Sequence, residues 1–219
     1  MSEYLLMVLE DEREHAAQSP KAIAELIVRR AEFADELRRA GRLRDSGRFR
    51  PSREGKRVRG ARVDDGPFAG ALAAYYWVDA PTLEDATALA NRIPALPSDQ
   101  IDVRPLMKGG VRPDKEANPG KIFGFAVLGD ATSEQGWIEV MDRIDAETHD
   151  AFPAAATLGG NRLRPPSRAM FDGPFLESKE VIGGVFFLRL TSLAEAVRWA
   201  LQSRFVVHGT LEIRELWRS

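Results

Sequence analysis

The four residues Asp172-Gly173-Pro174-Phe175, echoed by Asp65-Gly66-Pro67-Phe68, constrain the fold more than any other feature of the chain. In each copy the Asp can bond the backbone two residues on, the Gly accepts φ > 0, and the Pro fixes its own φ, which is the chemistry of a turn. Such a turn recurring half a chain apart says that two halves share one plan. The second copy continues through Glu177, Lys179, Glu180, Gly183 and Gly184 into Val185-Phe186-Phe187-Leu188, the composition of a buried strand. Gly183 and Gly184 leave room there for a neighbouring backbone or a ligand.

The two halves can be put in register. Leu83 is as far from Leu193 as Leu106 is from Leu216, and both separations exceed that of the two turns, Asp65 to Asp172, by three. The first half has lost three residues after its turn, where it reads Ala69-Gly70-Ala71-Leu72, and it lacks the Glu, Lys, Glu and paired Gly of the second copy.

Periodicity supplies the elements between. Tyr4 to Leu9 reads as a buried strand and Glu10 to Glu14 as an acidic loop; Ser19-Pro20 caps a helix with Ile23, Leu26, Ile27, Ala34 and Leu37 on one face, ended by Gly41. Extended pieces follow at 42–51 and 56–63, then a strand at 73–78, a helix capped by Thr82 and a strand at 101–107. In the second half, strands are expected at 122–128, 185–190 and 210–217, with helices capped by Ser133 and Ser192. The Ser133 helix is expected to turn Trp137, Met141, Ile144 and Phe152 inward. The expected domains are 1–107, a Gly- and Pro-containing linker at 108–120, and 121–219.

Composition narrows the class. The hydrophobic fraction of 44% and charged fraction of 29% over 219 residues suit a globular protein. No apolar run has the roughly 20 residues a membrane helix needs. The start lacks the basic flank of a secretory signal, so a cytoplasmic location is expected. Cysteine is absent, which excludes disulfides and thiolate chemistry.

With these residues in view, the chain resembles a tandem copy of the DGPF family within the YCII-related superfamily. The carrying features are the two Asp-Gly-Pro-Phe turns, the pattern Glu177, Lys179, Glu180, Gly183, Gly184 and Phe186, Glu195-Ala196 with Trp199-Ala200, and Val103-Arg104-Pro105-Leu106. The resemblance implies an α+β fold of two ferredoxin-like βαββαβ repeats, pairing their sheets as an intrachain α+β barrel. It also implies a monomer with an internal pseudo-dimer, or a homodimer. Relatives carry a His on the first helix and an Asp after the second. Here Arg30 and Ile144 stand near the His position, and Ile93 and Ser203 at the Asp position, so no such pair is expected.

Candidate ligand-binding residues are Asp172, Glu177, Lys179, Glu180, Gly183, Gly184 and His208, the last with Asp172 as an orienting carboxylate. Between Arg38 and Arg62, eleven basic residues face only Asp45 and Glu54. Arg42, Arg44, Arg48 and Arg50 of that stretch are candidate anion-binding residues on one strand face. Glu10, Asp11, Glu12, Glu14 and His15 collect ligand atoms without a metal-binding spacing, so neither a metal nor a cofactor is expected.

Three functional readings stay open. The first is a small-molecule-binding protein or enzyme. The second is a non-catalytic regulatory or protein-interaction module of the type associated with sigma factors. The third is anion or RNA binding through the basic stretch, with RNA disfavoured because no run of stacking aromatics lies among the arginines.

Overall fold

A computed structural model describes residues 2–68, 70–106, 121–128, 151–154, 161–164, 169–172, 182–203 and 205–217. Its elements are β1 (Ser2–Glu10), α1 (Glu12–Ala17), α2 (Pro20–Arg39), β2 (Leu43–Arg48), β3 (Lys56–Arg59), β4 (Arg62–Asp65), β5 (Ala71–Ala80), α3 (Leu83–Ala90), β6 (Gln100–Pro105), β7 (Lys121–Leu128), β8 (Ala151–Ala154), β9 (Asn161–Arg164), β10 (Ala169–Asp172), β11 (Ile182–Leu190), α4 (Leu193–Leu201), α5 (Phe205–His208) and β12 (Thr210–Glu215). The chain is an α+β protein with two antiparallel sheets. Among the described residues no helix is long and apolar enough to cross a membrane.

Local chemistry sets the helix starts. Ser19 accepts from the Ala22 N–H ahead of Pro20, Thr82 from Asp85 N–H, and Ser192 from Glu195 N–H, while the Glu195 carboxylate accepts from the Thr191 N–H and hydroxyl. The Glu10–Glu14 stretch is not all loop. Asp11 accepts from the N–H groups of Arg13 and Glu14 and so starts α1. Phe152 lies in β8 opposite Phe187, not on a helix, because strand pairing at the β11 edge decides its conformation. Trp137, Met141 and Ile144 lie outside the described residues.

The first sheet runs β10-β9-β6-β1-β5-β2 and the second β4-β3-β12-β7-β11-β8. The two orders correspond strand for strand. Each sheet takes its two outermost strands on one side from the other half of the sequence: β9 pairs with β6, and β3 with β12. The compact units follow this exchange. One comprises Met1–Arg48, Phe68–Leu106 and Gly159–Pro174; the other comprises Phe49–Pro67, Met107–Leu158 and Phe175–Ser219. The repeats describe the sequence, and the compact units interleave them.

Each unit has its own core. In the first, Leu26, Phe33, Ala34 and Leu37 of α2 and Ala86, Leu89 and Ala90 of α3 cover Leu6, Val8, Tyr76 and Val78. In the second, Trp199 and Ala200 of α4 cover Phe125, Phe186 and Ile213, with Phe125 and Phe186 stacked at 4.7 Å. The other face of the second sheet receives Phe49, which stacks on Phe187 with centroids 6.3 Å apart. A Cβ at Gly124 would stand 2.3 Å from the Phe49 ring, so only glycine admits that ring. Gly124→Ala should therefore cost about 1–3 kcal/mol by overpacking, read as a lower urea midpoint at unchanged slope.

The exchange carries a second expectation. A chain cut once within 107–120 should stay a single species in native gels and size exclusion, because each half holds a hairpin that the other unit needs. Separation of the fragments without denaturant would contradict the exchange.

Candidate functional site

The site lies in the first unit, at the end of the sheet where β1 finishes. Glu10 is the last residue of β1, His15 sits in α1 directly after it, Arg30 is on the buried face of α2, and Asp99 immediately precedes β6. Asp99 is 1% exposed. A carboxylate so deeply placed needs a full set of partners. Oδ2 accepts from the Leu96 N–H at 2.8 Å and from Arg30 Nη2 at 3.0 Å, and Oδ1 meets His15 Nε2 at 2.9 Å. Arg30 is equally committed. Its Nε donates to the Pro94 carbonyl at 2.9 Å and its Nη1 to Glu10. The Ser98 N–H donates to Glu14 at 2.9 Å, tying the loop before β6 to α1.

Solvent reaches His15 and Glu10, whose side chains are 13% and 17% exposed. Burial disfavours the imidazolium, but the hydrogen bond to Asp99 and the negative charges of Glu10 and Asp99 outweigh it, with Arg30 opposing; the pKa is raised above its ordinary 6.5. With Nε2–H directed at Asp99, Nδ1 is the nitrogen left to take or give a proton. His15 has no further partner for it among the described residues.

One ligand atom each from Glu10, His15 and Asp99 lie within 4.8 Å of one another, close enough for a metal ion. Arg30 bridges the two carboxylates instead. The guanidinium supplies the positive charge that a divalent cation would bring, and the set serves a proton-exchanging imidazole better than a metal.

The sequence-expected residues are placed differently. Asp172 ends β10 in the first unit and His208 ends α5 in the second. Gly183 falls at the register shift between Ile182 and Gly184, where β11 leaves regular pairing with β7. Glu177, Lys179 and Glu180 lie outside the described residues. The four arginines are divided between the units. Arg42 donates to the Asp79 carbonyl at 3.4 Å and Arg44 to the Asp79 carboxylate at 2.7 Å, both in the first unit. Arg50, in the second, pairs with Glu54 at 2.7 Å and lies 4.6 Å over the Trp217 ring. Arg48 closes β2 at the His15 end of the first sheet.

A His–Asp pair is thus present in the first half, at positions that counting along the motif does not reach. His15 stands on a short helix ahead of the long one, and Asp99 six residues beyond Ile93. Two signals point there: a carboxylate directly before a strand in Pro97-Ser98-Asp99, and an Arg on the apolar stripe of α2 that needs a buried counter-charge. At the spacing that relates Leu83 to Leu193, the second half has Gly209 in place of Asp99 and Phe186 in place of Tyr76.

The fold and site together define an α+β protein of two antiparallel sheets with a buried His–Asp pair at the end of one. Residues 154–219 match the family model of the YCII-related domain. None of the curated proteins matches the chain. Among solved structures, it is similar to one described as a chlorite dismutase, at 11% identity, covering 100% of this chain and 96% of that one with a TM-score of 0.41.

Asp99→Asn tests the pair. Because the folded pKa of His15 is raised, its contribution to stability is complete below about 6.5 and is lost as pH rises through the raised value. Titration of the His15 ring by NMR should give a pKa above the ordinary value in the wild type and a lower one in Asp99→Asn. The variant should lose stability on the order of 3 kcal/mol. It should also lose the fall in stability above pH of about 6.5 that His15 gives the wild type.

Proposed function

We propose that this chain is an enzyme acting on a small molecule by general acid–base catalysis, with His15 as the proton-transferring group and Asp99 as its positioning residue. The observation that carries the reading is the 2.9 Å contact of His15 Nε2 with a buried carboxylate that Arg30 and a backbone N–H hold in place. Asp99 selects the tautomer and stabilises the imidazolium as it forms; Nδ1 exchanges the proton with substrate. Glu10 and Arg30 keep that charge balanced through the cycle.

The same reading treats the halves as two ferredoxin-like copies of one unit, extending to residues 1–107 the YCII-related character matched at 154–219. What supports it is the corresponding strand order of the two sheets and the equal spacing of Leu83 from Leu193 and of Leu106 from Leu216. Only the first copy keeps the chemistry.

The test is a proton-exchange screen. Carbonyl and lactone carbon acids incubated with the protein in D2O should lose C–H signal for at least one class, with the rate falling about 10²–10⁴-fold in His15→Gln. No exchange across the panel, or exchange that survives His15→Gln, would overturn the reading.

A further inference from the structure

Tyr76 is 4% exposed, yet its hydroxyl makes no hydrogen bond among the described residues. Its ring is held at the centre of the first core, edge-on to Phe33 at 5.2 Å, on the sheet face that α2 covers. The hydroxyl is not among the fully buried polar atoms that lack a partner, so it meets space that water or a ligand can fill. Packing does not require the group. Phe186, at the equivalent position of the second half, packs its ring between Phe125 and Trp199 with no oxygen at all. The half that keeps Asp99 keeps the hydroxyl; the half with Gly209 has lost both.

Burial pushes the Tyr76 pKa up to about 12, the Arg30 cation opposing and Glu10 reinforcing it, so the group stays protonated and acts as a donor. Phe33, whose ring Tyr76 meets, lies one turn of α2 from Arg30, which places Tyr76 beside the His15 cluster. Arg48 reaches the cluster from the other side. It pairs in register with Ala74, which pairs with Val8, so Arg48 shares the sheet face of Tyr76 and lies at the end of the sheet where Glu10 completes β1. Arg48 reaches solvent; partial burial lowers its pKa, with Glu10 opposing and Arg30 reinforcing, and a substrate would share its five N–H donors with the partner it already has. A guanidinium stays charged at every working pH.

We propose that Tyr76 and Arg48 form the substrate-binding half of the His15 site and select a small monocarboxylic acid, the Tyr76 hydroxyl and the Arg48 fork both donating to its oxygens. The inference rests on the acid–base reading of His15 and names its substrate class. The charges favour a monoanion. Glu10 and Asp99 are balanced by Arg30 and by Arg48, so one added negative charge meets a neutral cluster and gains the planar two-point geometry of a guanidinium–carboxylate pair. A dianionic phosphate would bring its second charge against the two carboxylates.

The experiment is calorimetric titration of the full chain at low ionic strength with acetate, lactate and benzoate, with inorganic phosphate and benzyl alcohol as comparisons. The wild type should bind at least one carboxylate saturably and bind the alcohol not at all. Tyr76→Phe, whose fold is vouched for by Phe186, and Arg48→Gln should each weaken that binding about tenfold or more without lowering Tm, the scale of a hydrogen bond to a charged group. Arg48→Gln should also flatten its salt dependence. Absence of saturable carboxylate binding, equal affinity in both variants, or tighter binding of phosphate would overturn the proposal. His15→Gln separates the two readings: it should abolish proton exchange while leaving carboxylate affinity within a few-fold, so a failure of catalysis and a failure of binding are seen apart.

Discussion

An antiparallel sheet with a free edge invites pairing with whatever strand is near. Without the exchange, β6 and β12 would each present such an edge, and each is covered by a hairpin from the other half of the sequence. Side chains reinforce that backbone pairing with charge. Asp102 and Arg104 on β6 form a fully buried pair at 3.1 Å, and their counterparts in the second half, Glu212 and Arg214, form another at 3.1 Å on β12. In the second unit the incoming hairpin completes the network: Arg57 donates twice to Glu212, and Arg214 donates to the Arg50 carbonyl. Buried charge is a poor source of net stability. Its value is register, since a hairpin shifted by one residue would strand Glu212 without Arg57 and turn its apolar side chains to the wrong face.

The geometry of the His15 cluster hangs from the same strand. β6 is held between β1 and β9, and Asp99 is the residue just before it. Fixing β6 therefore fixes the carboxylate, and the turn Leu96–Asp99, closed by an N–H of Leu96 on Asp99 Oδ2, leaves it little freedom. Arg30 then locks α2 to this point through Pro94, Asp99 and Glu10. The imidazole of His15 is partly exposed, as is the Glu10 carboxylate, while Asp99 and Arg30 are buried. Preorganisation of this kind keeps a tautomer in place without requiring rearrangement during proton transfer.

Local chemistry is legible in the sequence. Ser19-Pro20, Thr82 and Ser192 announce helix starts because capping needs only neighbours in the chain, and the apolar runs of β1, β5, β7 and β11 announce themselves as strands buried on both faces. Pairing across the sequence is not. The stretches at 42–51 and 56–63 look extended from their composition, but nothing local says that Arg48 ends in one unit and Phe49 begins in the other. The same limit hides the site. His15 and Asp99 stand 84 residues apart, and neither belongs to a motif with fixed spacing. Counting back from Gly41 makes Arg30 look like a substitute for a lost histidine, whereas it is the counter-ion of the two carboxylates beside an existing one.

The repeated turn draws attention to the second half for a reason that has more to do with topology than chemistry. The division between units falls between Pro67 and Phe68 and again between Pro174 and Phe175, so both Asp-Gly-Pro-Phe stretches stand where the chain passes from one unit to the other. At Gly66 a Cβ would lie 1.9 Å from the Ser52 carbonyl oxygen, which accounts for the glycine by close approach alone. A motif that serves the crossing must persist in both copies whatever each copy does. Chemistry is under no such constraint. The His15 cluster draws on Asp99 in the first half, and the second half carries Gly209 and Phe186 at the corresponding spacing with its core intact. Where two sheets share one strand order, the reactive groups are therefore found by asking which charged side chains the core holds together, not by asking which half carries the fuller motif.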